Sequence, residues 1–257
     1  MENLKYQIKN QWDHSSGGYD NQHAHGIQTE EERIAWETLF RSFMDPTPHA
    51  VLDVGCGTGV MSLLLAEMGH QVWGVDLSEG MMGKAREKAD KKGISINFSI
   101  EDAEALPFED NSFDLVVNRH LLWTLPNPQK ALDEWKRVLR PGGMVTIIDG
   151  LWCTGSLSER VKRIAANIGV LITERKNQFG RYYTPDITRT LPHPYGMTSD
   201  IALSYVQKSG FTDIKLLPLK DIMDIQRKHM PISRRISYQM PYYLISGKKL
   251  HNPRSES

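Results

Sequence analysis

At 257 residues the chain has the length of one large domain, or of one domain with a lid, and can bury a sizeable core. Lys+Arg and Asp+Glu both number 31, a formal net charge of +0, which argues against a large polyanionic partner such as nucleic acid but leaves room for a local basic patch. The 2 cysteines, Cys56 and Cys153, have no CxxC neighbour and support neither a disulfide framework nor a thiolate metal site.

In chain order, the polar N-terminus has no signal-peptide core, and no apolar run approaches the roughly 20 residues of a membrane span. The expectation is a soluble, cytoplasmic protein. Residues 1–28 carry aromatic and His residues without clear periodicity. "TEEERIAWETLFRSFM" reads as a helix, with Thr29 as N-cap and Glu32 placed as in a capping box. Pro46 and Pro48 end it. Then strands and helices alternate. Strands are predicted at Val51–Val54, Val72–Val75, Ile96–Ile100, Phe113–Asn118 and Met144–Asp149. Helices are predicted at Val60–Met68, Glu79–Lys91 and Pro128–Val138, the last stopped by Pro141 and Gly142. Such alternation implies right-handed crossovers and a parallel sheet. It pauses at Gly150. A basic amphipathic segment, "SERVKRIAANIGVLITERKN", and a Pro/Tyr-rich loop follow. A helix at Ser199–Ser209 and strands at Asp213–Leu219 and Tyr242–Ser246 resume the pattern. "HNPRSES" reads as a frayed tail.

The first strand runs into Gly55-Cys56-Gly57-Thr58-Gly59 and then a helix. Glycines allow a tight turn and bring a ligand close to the helix N-terminus. Asp76, ending the second strand, can accept both hydroxyls of a ribose. The spacing is not the dinucleotide G-x-G-x-x-G, and an acid, Asp53, precedes the turn. A carboxylate there repels a pyrophosphate and suits a cationic ligand carrying an ammonium group.

"VLDVGCGTG", "GVDLS", "EDAEALPFEDNSFDLVV" and "EWKRVLRPGGMVTIID" together resemble the class I S-adenosylmethionine-dependent methyltransferases. Within them, the ubiquinone/menaquinone C-methyltransferase branch (methyltransferase type 11 domain) is nearest. The resemblance covers residues 51–149 in register. It implies an α/β fold: a Rossmann-like seven-stranded, mostly parallel sheet flanked by helices, its last strand antiparallel, with a helical lid insertion after strand 5. The divisions expected are a cap segment and helix over 1–45, the cofactor-binding core over 46–150, a lid over 151–197, the rest of the sheet over 198–250 and a tail over 251–257. The implied cofactor is S-adenosyl-L-methionine, leaving S-adenosyl-L-homocysteine as product.

The resemblance also assigns roles. Asp53, Gly55, Cys56, Gly57, Thr58 and Gly59 receive the methionine moiety. Asp76 binds the ribose and Leu77 packs on the adenine. Asp102 accepts from the adenine amino group, and Ala103 donates from its backbone. Asn118, Arg119 and His120 follow the fourth strand, beside sulfonium and substrate. His120 is the candidate general base, with Arg119 beside it, if the acceptor needs one; otherwise it shapes the pocket. Trp12 and Tyr19, in a W-D-x-x-x-x-x-Y-D pattern, either fold over the cofactor or dock the N-terminal helix. Trp123, Tyr195 and His193 are candidates for substrate contact. Residues 10–28 and 151–197 are expected to form a mobile cover. His23 and His25 suggest a metal, but no nearby acid completes a familiar site, and none is expected. The expected reaction is methyl transfer to a small-molecule acceptor by in-line displacement. A quinone-type C-methyltransferase working near a membrane, or an RNA or protein methyltransferase, is the alternative. The acceptor and the oligomeric state are not encoded in any motif.

Overall fold

Runs of aliphatic residues bounded by glycine, proline and asparagine become strands, while segments with a repeating apolar stripe become helices. The computed structural model describes residues 2–21, 25–152, 164, 183–235 and 241–250. Its strands are β1 (Ala50–Val54), β2 (Gln71–Asp76), β3 (Asn97–Ile100), β4 (Phe113–Arg119), β5 (Leu139–Gly150), β6 (Thr212–Pro218) and β7 (Tyr242–Lys248). The helices used below are α1 (Glu2–Ser15), α2 (Glu30–Arg41), α3 (Val60–Glu67), α4 (Glu79–Lys92), α5 (Pro128–Val138), α6 (Pro185–Thr190), α7 (Ser199–Lys208) and α8 (Lys220–His229).

The strands form one seven-stranded sheet of order β3-β2-β1-β4-β5-β7-β6. The first five pair in parallel, and β7 runs antiparallel between β5 and β6. Side chains alternate along β4: Val116 enters the apolar layer built around Trp135 and Leu132, while Leu115 and Val117 enter the one built around Trp36 and Phe40. Both faces are thus covered, as a parallel sheet requires.

Local signals act where they stand. Thr29 Oγ1 accepts from Glu32 N at 3.1 Å, and the Glu32 carboxylate reaches back to Gln28 N at 3.0 Å. Gly93 caps α4 in the left-handed region.

Three features depart from expectation. β5 begins at Leu139, not Met144: Lys249 pairs with the Pro-Gly-Gly turn through Gly142 N and Gly143 O, at 2.9 and 2.8 Å, and so carries the antiparallel pairing back along the strand. The N-terminal segment without clear periodicity forms α1. Its apolar residues Leu4, Ile8 and Trp12 recur every fourth position, a stripe one residue wide. α8 lies between the last two strands, fixed by buried Gln226, whose Nε2 donates to Glu32 Oε1 at 2.6 Å. His23, Cys153, the basic segment expected over residues 158–177 apart from Ile164, and the tail lie outside the described residues. Among the described residues no helix is long and apolar enough to cross a membrane.

Trp135 is fully buried, and its Nε1 donates to Ala103 O at 3.1 Å. Trp135→Ala should cost about 3–5 kcal/mol, from cavity formation and an orphaned carbonyl. Urea denaturation should show a lower midpoint with an unchanged slope.

Candidate active site

β1 and β4 lie side by side at the point where strand order reverses, and their carboxyl ends open onto one crevice. The turn after β1 places Gly55, Gly57 and Gly59 at φ 66, 54 and 77. L-residues with side chains avoid that region, so the glycines make the turn. A cleft of about 730 Å³, counted to its open mouth, lies over it, lined among others by Gly55, Gly57, Asp76, Leu77, Asp102 and Ala103. A contiguous recess holds Asp53, Cys56 and Thr58.

The carboxylates here are held by hydrogen bonds from hydroxyls and backbone. Asp76 accepts from Gly57 N and Ser78 N, both at 2.8 Å. Burial raises its pKa, and those N–H groups pull against the shift. Asp53 is buried and accepts from Ser62 Oγ at 2.5 Å. Burial pushes its pKa up to about 7, against the Ser62 bond. Burial also pushes the Cys56 thiol well up, which keeps it protonated and packed against Met82 Sδ at 3.4 Å.

The N-terminal segment lies along this cleft. Lys5 Nζ reaches Asp102 and Glu104, each at 2.7 Å. Asp13 accepts from Ser78 Oγ at 2.6 Å and Gly80 N at 2.9 Å. Asp20 accepts from Thr58 Oγ1 and, at 2.8 Å, from Lys88. A Cβ on Gly80 would stand 2.9 Å from Ser16 Oγ and 3.0 Å from Asp13 O, so the close approach of α1 to α4 needs glycine there.

The turn after β4 forms the far wall. His120 has φ 61, a left-handed backbone rarely held without cause, and its N–H donates to Ile148 O at 2.9 Å. Arg119 Nε donates to Tyr242 Oη at 3.0 Å, with its guanidinium 5.4 Å from the Trp36 ring centre. His120 Nε2 is also 3.0 Å from Tyr242 Oη. Burial and the positive charge of Arg119 push His25 down to about 3, and push His120 well down too. Asp149, ending β5, accepts from Gly150 N at 2.8 Å. Its Oδ2 is buried without a hydrogen-bond partner among the described residues, and burial raises its pKa to about 8 against the pull of the backbone N–H groups nearby.

The structure brings Trp12, Tyr19, Asp53, Gly55, Cys56, Gly57, Thr58, Asp76, Leu77, Asp102, Ala103, Arg119 and His120 to one cleft and its recess. Gly59 is the N-cap of α3 behind the turn. Asn118 is buried below it, with Nδ2 3.5 Å from Thr146 O. Trp123 is buried against Trp152 and Tyr183. His193 pairs with Tyr205 Oη at 3.1 Å, and Tyr195 is exposed, so neither lines the cleft. Lys5 lines the cleft and His25 the recess, where the sequence assigned Lys5 no role and His25 only a metal reading; Asp149, Tyr183 and Tyr242 stand behind these walls and were unread. Only Asp149, at the end of a predicted strand, carried a local signal.

The fit to an adenosyl cofactor is direct. Three carboxylates, on Asp53, Asp76 and Asp102, are spaced along a glycine cradle, and a Cβ added at Gly57 meets no atom within 4 Å.

A family profile described as a methyltransferase domain matches residues 52–147. The demethylmenaquinone methyltransferase of Thermus thermophilus is 33% identical over 170 residues, covering 62% of this chain and 74% of that protein. A ubiquinone biosynthesis O-methyltransferase of Coxiella burnetii is 38% identical over 93 residues, 36% of this chain and 40% of that one. In fold, the chain is similar to Haemonchus contortus phosphoethanolamine N-methyltransferase 2, solved with phosphomonomethylethanolamine and S-adenosylhomocysteine. The TM-score is 0.67 at 20% identity, over 95% of this chain and 60% of that one. The glycine turn, the acid at the end of β2 and a relative matched over most of its length agree: the chain belongs to the class I S-adenosylmethionine-dependent methyltransferases, in their quinone-methyltransferase branch.

Proposed function

We propose that the ribose of S-adenosylmethionine lies on Asp76, its adenine between Leu77, Ala103 and Asp102, and its methionine ammonium towards Asp53, with a small planar molecule as acceptor. When bound, the cofactor supplies a sulfonium-activated methyl group open to in-line displacement. The chain's own task is to position the acceptor and exclude water.

One observation carries the acceptor reading. Seven aromatic side chains form a closed circuit: Trp12, Tyr19, His25, His120, Trp152, Trp123, Tyr183 and back to Trp12. Neighbouring centroids are 4.3 to 6.5 Å apart. Trp12, Tyr19 and His120 belong both to this circuit and to the cleft wall. Such edge-on rings suit a flat apolar ligand and still offer polar edges. The names of the relatives support a quinone-type acceptor, methylated at carbon or at oxygen. The cytoplasm is our proposed location.

The test is a labelled-methyl transfer screen with reduced short-chain quinones, alongside calorimetry with S-adenosylhomocysteine and NAD. Incorporation into a quinol and binding of S-adenosylhomocysteine are expected. Tight NAD binding without a response to S-adenosylhomocysteine would sink the cofactor placement.

Two bonds from ribose hydroxyls to a charged acceptor contribute about 1.5–3 kcal/mol each. Asp76→Ala should therefore weaken S-adenosylhomocysteine binding about tenfold or more, with circular dichroism unchanged.

Asp53 yields a pH dependence. Its pKa in the ligand-free protein is raised to about 7 by burial, with the Ser62 bond and Arg119 opposing and Asp76 adding to the shift. An ammonium partner favours the carboxylate and lowers that pKa on binding. Affinity should be full above this value and fall as pH drops through it, by up to about tenfold per unit. Calorimetry from pH 8 to pH 5.5 should show this slope, and Asp53→Asn should flatten it.

A further inference from the structure

Arg119 and His120 end β4, Tyr242 begins β7, and all three meet at one oxygen. β7 brings Tyr242 there because it pairs antiparallel to β5 with Tyr242 opposite Gly150. Arg119 Nε and His120 Nε2 both lie 3.0 Å from Tyr242 Oη. A guanidinium only donates, so the phenol oxygen accepts from it. The phenol has one proton to give, and the remaining neighbour shown at this oxygen is His120 Nε2. Giving the phenol proton its one visible acceptor assigns it to that nitrogen, and the imidazole then keeps its own proton on Nδ1. Burial pushes the Tyr242 phenol up to about 12, so it stays protonated. Burial and the Arg119 charge push His120 well down, so it gains no second proton. The left-handed backbone at residue 120 and its N–H bond to Ile148 O hold the ring in place.

We propose that Arg119, acting through Tyr242, fixes His120 as a neutral Nδ1–H donor, and that this donor chain holds the acceptor's reacting oxygen as an anion. Tyr242 is a positioning residue in this scheme. His120 donates to the acceptor instead of removing its proton. The acceptor class is accordingly an oxygen acid ionised before it is seated, such as a phenolate, enolate or carboxylate. An alkylammonium is disfavoured as acceptor at His120 itself, where Arg119, bonded to the same phenol oxygen, is the charge that acts on the ring. Like charge in a low-dielectric site costs several times what it does in water. The acceptor part rests on the methyltransferase reading; the tautomer does not.

The experiment uses the full chain labelled with nitrogen-15 histidine and saturated with S-adenosylhomocysteine. Two-bond proton–nitrogen spectra distinguish the tautomers, and His120→Gln assigns the ring. The expected wild-type spectrum shows a protonated Nδ1 and a bare Nε2 from pH 8 to pH 6. Tyr242→Phe should remove that preference. Benzoate and benzylamine, one ring with opposite charges, are then titrated. Benzoate should shift the His120 ring and bind about tenfold tighter. An Nε2–H tautomer in the wild type overturns the relay without touching the methyltransferase reading, since cofactor binding is measured in the same sample. Benzoate that leaves the ring unmoved, or benzylamine that binds as tightly, overturns the anionic acceptor. The wild-type spectra decide these outcomes whether or not the variant folds.

Discussion

The contact between Gly55 and Leu121 sets the geometry of everything at the carboxyl edge of the sheet. A Cβ on Gly55 would stand 2.6, 2.8 and 2.9 Å from Cδ1, Cδ2 and Cγ of Leu121, and the backbone there has φ 66. Residue 55 is therefore glycine for two independent reasons, the hand of the turn and the space above it. Because Leu121 rests on the bare turn, the segment carrying Arg119 and His120 comes down beside the segment that cradles a cofactor. A side chain at 55 would strain the turn and force the Leu121 side chain to move, at the edge where a transfer needs its reacting atoms within about 3–3.5 Å.

The second constraint is the burial of ionisable groups. Asp53, Asp76, Asp149 and Arg119 all sit at this edge. Fixed dipoles meet them there: the Ser62 hydroxyl, the N–H groups of Gly57, Ser78 and Gly150, and the Tyr242 phenol. Dipoles of this kind reduce the cost of burying a charge without consuming it, so the charge still acts on a ligand. Asp149 differs: Gly150 N meets one of its oxygens, the other is buried without a partner among the described residues, and burial raises its pKa to about 8, so it keeps its proton at neutral pH.

These two constraints explain what could be read in the sequence. The five parallel strands, the glycine turn and Asp76 were legible because each is written in a few adjacent residues: an aliphatic run, a Gly-x-Gly-x-Gly step, an acid where a strand stops. The antiparallel closing strand was legible through resemblance. Tyr242 was not, although it starts that strand. Its importance comes from lying beside Arg119 and His120, 122 residues or more away in sequence. His25 and Tyr183 are the same case, since each matters only through rings contributed by other segments. α1 was missed because its stripe is one residue wide: Ile8 enters the apolar layer with Leu4 and Trp12 packed beside it, while Lys5 and Asp13 turn to polar partners at the cleft, so no broad apolar face is needed. Tyr195 and His193 had the right residue types and the wrong neighbours, and pattern alone could not tell those apart.

The W-D-x-x-x-x-x-Y-D segment shows how a motif can be seen while half its physics is overlooked. Its aromatic residues, Trp12 and Tyr19, meet edge to face at 5.8 Å and line the cleft. Its acids do the fastening, Asp13 to the start of α4 and Asp20 to Thr58 and Lys88. Lys5 adds a third fastening, on Asp102. Each clasp is partly exposed, so each contributes modestly, on the order of 1 kcal/mol. Two of the three end on residues of the cleft wall and recess, Asp102 and Thr58, and the third on Ser78, next to the Asp76–Leu77 pair. The segment therefore cannot shift without changing the hydrogen-bond partners of the cleft. A ligand that competes for or reinforces those partners must change the hold on the segment by the same free energy. The N-terminal segment and the cleft are thermodynamically coupled, although they lie far apart in sequence.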